Sequence, residues 1–243
     1  ANKISYLDTA QNYGDAENRL GRTKFIKDNF KIINKFSDNS NIKWDSKITT
    51  LWDKNLKKNL DNLGISELDS FLVHNMKDLL REEGYILIDW LENLKSDSII
   101  KRIGVSIYDA EDIEEIPIDK FDLIQLPLSI YDQRFLKNGI INNLHLLGKK
   151  IHIRSIFLQG LILQEADKWP KFLSNEFKNH HQKTQKKLKE KNISMLEAAL
   201  TFAFNCENVE AILVGITNNE ELSKILEIYK ANKRNEKNYL PNN

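Results

Sequence analysis

Side chains able to move or steer a proton stand at the ends of the first apolar runs of the chain: Asp8 and Tyr13 just after residues 4–7, Lys35 closing 30–35, and His74 closing 68–74. A free phenol titrates about three units above neutrality, so proton exchange through Tyr13 needs a neighbouring positive charge to stabilise the phenolate. Lys35 can supply that charge. A buried ammonium is costly unless it is paired, which gives Asp8 the role of counter-ion. His74 can hydrogen-bond an oxygen presented at the same rim. Singly, each residue reads more readily as part of a structural ion pair or as a satisfied core histidine. Their conjunction at successive strand ends is what points to chemistry.

Such a constellation needs parallel strands that open onto one rim. Short apolar runs alternate with amphipathic segments, the pattern of parallel strands joined by crossover helices. The runs are 4–7, 30–35, 68–74, 103–106, 123–126, 151–155 and 211–214, with little polar alternation, as expected for strands covered on both faces. Helices are expected from about Asp15 to Gly21, over 46–63 with Ile48, Leu51, Trp52, Leu56, Leu60 and Leu63 as its stripe and Gly64 as its stop, and over 79–95, 110–116 and 138–147. In the last third, 174–191 and 194–204 read as helices, the second with a Ser194/Glu197 capping box, and a final helix opens at Asn218 or Asn219. The tail from 232 to 243 reads as frayed.

At 243 residues, 41% hydrophobic and 29% charged, one domain spanning 1–243 is expected. Lys and Arg number 36 against 35 Asp and Glu, and a net charge of +1 gives no electrostatic reason to expect nucleic acid or an anionic membrane as partner. The basic run 183–191 reads as a solvated helix face, and His180 and His181 on that helix as solvent-facing. His145 and His152 have no chemical context either. The single cysteine, Cys206, reads as core packing. No apolar run reaches a membrane span and no signal segment opens the chain, so a cytoplasmic protein is expected. No Cys cluster or H-E-x-x-H spacing suggests a metal site.

The stretch Asp8-Thr9-Ala10, Tyr13-Gly14, Glu17 and Leu20-Gly21 resembles, without a gap, the D-T-A-x-x-Y-G-x-x-E-x-x-L-G signature of the aldo-keto reductases. The resemblance implies an α/β fold of the (β/α)8 TIM-barrel type. It sets residues 4–7 at the family's second strand, so a leading strand and helix are expected to be absent from the given chain; seven strands would leave unpaired edges. It further implies NAD(P)H-dependent reduction of an aldehyde or ketone, with Tyr13 as general acid, Lys35 and Asp8 beside it and His74 near the substrate oxygen. A nicotinamide-binding redox sensor with little turnover is the alternative. A lysine Schiff-base aldolase is disfavoured, because Lys35 with an Asp8 partner stays charged.

The cofactor implied is NADPH, with NADH as the alternative. Gly104-Val105-Ser106 resembles the family segment that holds the nicotinamide carboxamide, with Ile107 replacing its Asn, and Gln125 matches a glutamine that binds the same group. Residues 154–160 resemble the pyrophosphate loop through Ser155, Phe157, Leu158 and Gly160, with Arg154 where many members place an aromatic ring. Gly215, Ile216, Thr217 and Asn218 resemble the adenosine-binding turn. Glu221 stands where many members carry Arg or Gln; a carboxylate suits a free ribose hydroxyl, while Lys224 can supply charge for a 2′-phosphate. His74-Asn75, 104–108, 125–135 and 154–160 resemble the bacterial branch associated with sugar and surface-polysaccharide pathways, which implies a small-molecule carbonyl partner, a keto or aldehyde sugar.

Overall fold

The computed structural model describes residues 4–23, 25–37, 43–45 and 47–235. The expected helix start at Ser46, most of the polar loop after Ser37 and the tail from 236 lie outside the described residues. In chain order the elements are β1 (Tyr6–Asp8), α1 (Ala16–Gly21), α2 (Ile26–Asn29), β2 (Lys31–Phe36), α3 (Ile48–Leu63), β3 (Leu68–Val73), α4 (Gly84–Ser96), β4 (Ile100–Ser106) and α5 (Asp112–Glu115). They continue as β5 (Leu123–Pro127), α6 (Arg134–Lys137), α7 (Ile140–Leu146), β6 (Lys150–Arg154), α8 (Asn175–Glu190), α9 (Met195–Phe204), β7 (Ala211–Ile212) and α10 (Asn219–Asn235). Strands and helices alternate, and β1 to β5 pair in parallel in chain order. This is the α/β pattern of the (β/α)8 TIM barrel, and seven of its strands lie among the described residues.

The chain divides into two compact units, residues 1–126 with 143–152, and residues 127–142 with 153–243. In the first, the strands are covered on both faces: every residue of β2 from Ile32 onward is buried, Asn34 and Lys35 included. Register sets Asp8 opposite Ile33, Lys35 opposite Leu72 and Phe36 opposite Val73. α3 buries Ile48, Trp52, Leu56 and Leu63, and stops where Gly64 takes a left-handed φ of 67° and its N–H donates to the Asp61 carbonyl. Asn59 is buried on this helix while Leu51 is exposed, so the stripe is rotated slightly from the one expected. An aromatic nest joins strand to helix: Phe36 to Trp52 at 5.1 Å, Trp52 to Trp90 at 5.2 Å and Trp44 to Trp52 at 4.9 Å between centroids.

α4 begins at Gly84, later than the expected 79. The Asn75 side chain accepts from the Lys77 N–H and nucleates a 3-10 turn over Met76–Asp78. The chain then folds back so tightly that a Cβ on Gly84 would stand 2.3 Å from the Leu79 carbonyl oxygen, a geometry a continuous helix does not have. Gly21 marks a second close approach, between α1 and α3: a Cβ there would lie 1.9 Å from the Asn62 carbonyl oxygen. Backbone cannot yield as a flexible side chain does. Gly21→Ala is therefore expected to cost about 1–3 kcal/mol or more, read as a lower urea midpoint; an unchanged midpoint would mean the helices separate freely.

In the second unit β7 joins the end of β6 through the Leu213 N–H, which donates to the Ile153 carbonyl at 2.8 Å. Ser174 caps α8 by accepting from the Phe177 N–H, and Ser194 caps α9 by accepting from the Glu197 N–H. Two expectations are corrected here. His181 is fully buried, because Tyr131 and Trp169 pack on it and the Gln164 carbonyl bonds it, while its neighbour His180 is exposed. α10 continues to Asn235 instead of fraying from Asn232: Tyr229 packs edge-on against Phe204, and the Asn232 amide donates to Asn205. Among the described residues no helix is long and apolar enough to cross a membrane.

Candidate active site

β2 is the reference for the site. The Thr9 N–H donates to the Ile33 carbonyl at 2.9 Å and the Gln11 N–H to the Lys35 carbonyl at 3.3 Å, which fixes the turn after Asp8 against this strand. On its other side the His74 N–H donates to the Phe36 carbonyl at 3.0 Å. Asp8, Lys35 and His74 thus stand at the carboxyl ends of three adjacent strands, stepped by two residues from each strand to the next. Asn34 points the opposite way from Lys35, and its amide donates at 2.7 Å to Glu17, a buried carboxylate on α1. That bond ties the helix following Tyr13 to the strand that carries Lys35.

Lys35 is only 2% exposed. Its ammonium forms an ion pair with Asp8 Oδ2 and donates to the Thr9 carbonyl at 3.3 Å. The other Asp8 oxygen accepts from Gln125 Nε2 at 3.0 Å. The Lys35 ammonium also stands 5.2 Å from the centroid of the Tyr13 ring, within cation–π range. Tyr13 is 47% exposed, with its ring edge-on to His74 at 5.9 Å between centroids. The Ser37 hydroxyl lies 3.1 Å from His74 Nδ1 and orients that ring. The structure therefore gathers the acid, the cation, the phenol and the imidazole into one cluster with one solvent-facing member. In energetic terms the paired ammonium offsets the cost of its own burial and leaves a fixed positive charge beside an accessible phenol.

Ser106 and Gln125 belong to the same unit and are buried side by side in register on β4 and β5. Gln125 Oε1 is buried with no hydrogen-bond partner among the described residues. A carboxamide N–H would satisfy it, so this end of the site fits a nicotinamide. The remaining candidates lie in the second unit. Arg154 donates to the Ser155 hydroxyl at 3.2 Å, and the turn through Phe157 is tight: Ser155, Leu158 and Gly160 have φ of 61°, 47° and 86°. After β7 come Gly215 and Ile216, the latter 44% exposed. At the head of α10 the Thr217 N–H and hydroxyl both donate to Glu221, at 2.7 and 2.9 Å, and the Glu221 N–H donates to Asn218. Those donors hold the Glu221 carboxyl below its usual range. Lys224 is exposed on the same helix.

Sequence reasoning missed Ser37 and Asn34. Ser37 carried a usable signal, as the first polar residue after β2 in parallel register with the strand that ends at His74; Asn34, an amide inside an apolar run, carried another. A groove of about 810 Å³ between α3 and α4, lined by Leu56, Tyr85 and Trp90 among others, contains none of these residues.

Comparison with known proteins yields no match among curated protein sequences. Solved structures do match. A putative aldo-keto reductase from Pseudomonas aeruginosa is 19% identical, with a TM-score of 0.64, over 93% of this chain and 76% of that one. An aldo-keto reductase from Bacillus halodurans in its apo form is 18% identical, with a TM-score of 0.73, over 93% of this chain and 75% of that one; its holo form is 19% identical at 0.71, over 94% and 78%. At such identities these likenesses speak for the fold. The model of the Aldo/keto reductase family, however, matches residues 1–239, and the chain belongs to that family of carbonyl-reducing oxidoreductases.

Proposed function

We propose that the protein reduces an aldehyde or ketone to an alcohol with NADPH, Tyr13 serving as the proton donor. The observation that carries the reading is the Lys35 ammonium, buried, paired with Asp8 and set 5.2 Å from the Tyr13 ring. A bound nicotinamide would supply the hydride to the carbonyl carbon. The chain's own task is at the carbonyl oxygen, which gains negative charge as the reaction proceeds. Tyr13 gives its hydroxyl proton to that oxygen, and Lys35 stabilises the phenolate left behind. Asp8 keeps Lys35 charged and in place. His74, oriented by Ser37, directs a ring nitrogen to the same oxygen and sets the angle at which the substrate lies.

Gln125 and Ser106 would hold the carboxamide, the 154–160 turn the diphosphate, and residues 215–218 the adenosine. Both Glu221 oxygens are engaged within their own turn while Lys224 is exposed, which keeps NADPH the proposed cofactor and NADH the alternative. A half-exposed Tyr13 suits a polar, sugar-sized carbonyl substrate. The test is single-turnover oxidation of bound NADPH by a reactive aldehyde, on the full chain and on Tyr13→Phe. The variant is expected to be slower by about 10²-fold or more, the scale of general acid catalysis. Equal rates would remove Tyr13 as the donor, and binding without turnover in either protein would favour a redox sensor.

A further inference from the structure

His181 is a fully buried imidazole on a helix otherwise rich in exposed lysine, and the proposed chemistry makes no use of it. Its Nε2 lies 2.9 Å from the Gln164 carbonyl oxygen, and its Nδ1 lies 2.8 Å from the Tyr131 hydroxyl. A carbonyl oxygen only accepts, so Nε2 carries the proton, Nδ1 accepts, and Tyr131 donates to it. Trp169 stacks on the ring at 4.4 Å, and its indole N–H donates to the Leu161 carbonyl at 2.8 Å. These bonds clamp the main chain of 161–164 from one side. Just upstream lie Ser155, Leu158 and Gln159, all with left-handed φ, of 61°, 47° and 57°. Such conformations are costly away from glycine and persist only where the surroundings over-determine them. A strained turn thus runs directly into a clamped segment.

We propose that His181, locked by Tyr131 and Trp169, is the positioning residue that holds the 154–160 turn in the shape that receives the diphosphate of a dinucleotide; the proposal rests on the nicotinamide-binding reading above. Protonation of Nδ1 would end its acceptance from Tyr131, whose hydroxyl would have to turn and accept instead. Burial is the main cause holding the His181 pKa below its usual value, opposed by the Gln164 bond and Glu165 and assisted by His180. Tyr131 is itself pushed up, chiefly by burial. With the folded pKa of His181 depressed, the clamp is intact at neutral pH, and its contribution to stability is lost as pH falls below the unfolded value of about 6.5.

The experiment is titration of the full chain with NADPH and NADH, followed by nicotinamide fluorescence, together with hydrogen exchange of amides 158–164 in the cofactor-free protein. His181→Ala is expected to weaken cofactor binding by about tenfold, the scale of one lost hydrogen bond, with turnover at saturating cofactor unchanged and exchange of 158–164 accelerated. Tyr131→Phe, which retains the ring and removes only the donor, is expected to shift both readouts in the same direction by less. His181→Gln, whose amide can donate to Gln164 and accept from Tyr131, is expected to restore affinity. Unchanged affinity in His181→Ala and Tyr131→Phe, with native circular dichroism, would overturn the proposal. Failure of the unaltered protein to bind either nucleotide would remove the functional reading, and this inference with it.

Discussion

Lys35→Met is expected to slow single-turnover reduction by about 10³-fold or more, within the range spanned by general acid catalysis and electrostatic stabilisation together, and to destabilise the fold at the same time. The two effects have different origins. Catalysis loses the ammonium that stands 5.2 Å from the Tyr13 ring and is placed to stabilise its phenolate. Stability falls because Asp8, whose side chain is only 18% exposed, is left with its charge balanced by no ammonium; breaking a buried pair from one side typically costs about 3–5 kcal/mol. The double variant Asp8→Asn with Lys35→Met separates them. Its asparagine can still accept from Gln125, and no uncompensated charge remains, so the urea midpoint is expected to recover while the rate stays low. Recovery of the rate would show that the ammonium has no electrostatic part in the chemistry.

Trp52→Ala is expected to cost about 3–5 kcal/mol, the usual range for emptying a large buried aromatic site, and to lower Tm by roughly 6–20 °C for a chain of this size. Trp52 is 2% exposed and touches Phe36, Trp44 and Trp90, so its removal opens a void between β2 and the helices that cover it. Its indole N–H is buried without a hydrogen-bond partner among the described residues. Trp52→Phe removes that unsatisfied donor while keeping most of the packing, and is expected to cost less than about 1.5 kcal/mol. A Phe variant as unstable as the Ala variant would mean that indole shape, and not burial of area, holds this nest together. Because Phe36 follows Lys35 directly, the alanine variant is also expected to loosen the site, seen as a faster exchange of the His74 amide that Phe36 bonds.

Much of this was legible in the sequence, for reasons that can be named. Continuous apolar runs mark strands buried on both faces, and their ends place Asp8, Lys35 and His74 on one rim before any coordinate is known. The pairing of Asp8 with Lys35 followed from the cost of an unpaired ammonium in such a run. What was not legible depends on side chains far apart in sequence or on turns without periodicity. Gln125 meets Asp8 across 117 positions, and nothing local to either residue announces it. The late start of α4 lies in the Asn75 cap and in the fold-back before Gly84. His181 was misplaced because α8 is dominated by lysine, although Phe177, His181 and Leu188 share its inner stripe.

The bonds that β2 makes on both sides carry a consequence for how such a chain can change over evolutionary time. Thr9, Gln11 and His74 are all hung on carbonyls of this single strand, whose alternate residues face opposite sides. Insertion or deletion of one residue within Lys31–Phe36 would exchange Lys35 for a neighbour on the inner face and shift both rims at once. Substitutions around it can accumulate, and loops and helices elsewhere can lengthen or shorten. The bonds on both of its sides thus tie the length of β2 to the position of Lys35.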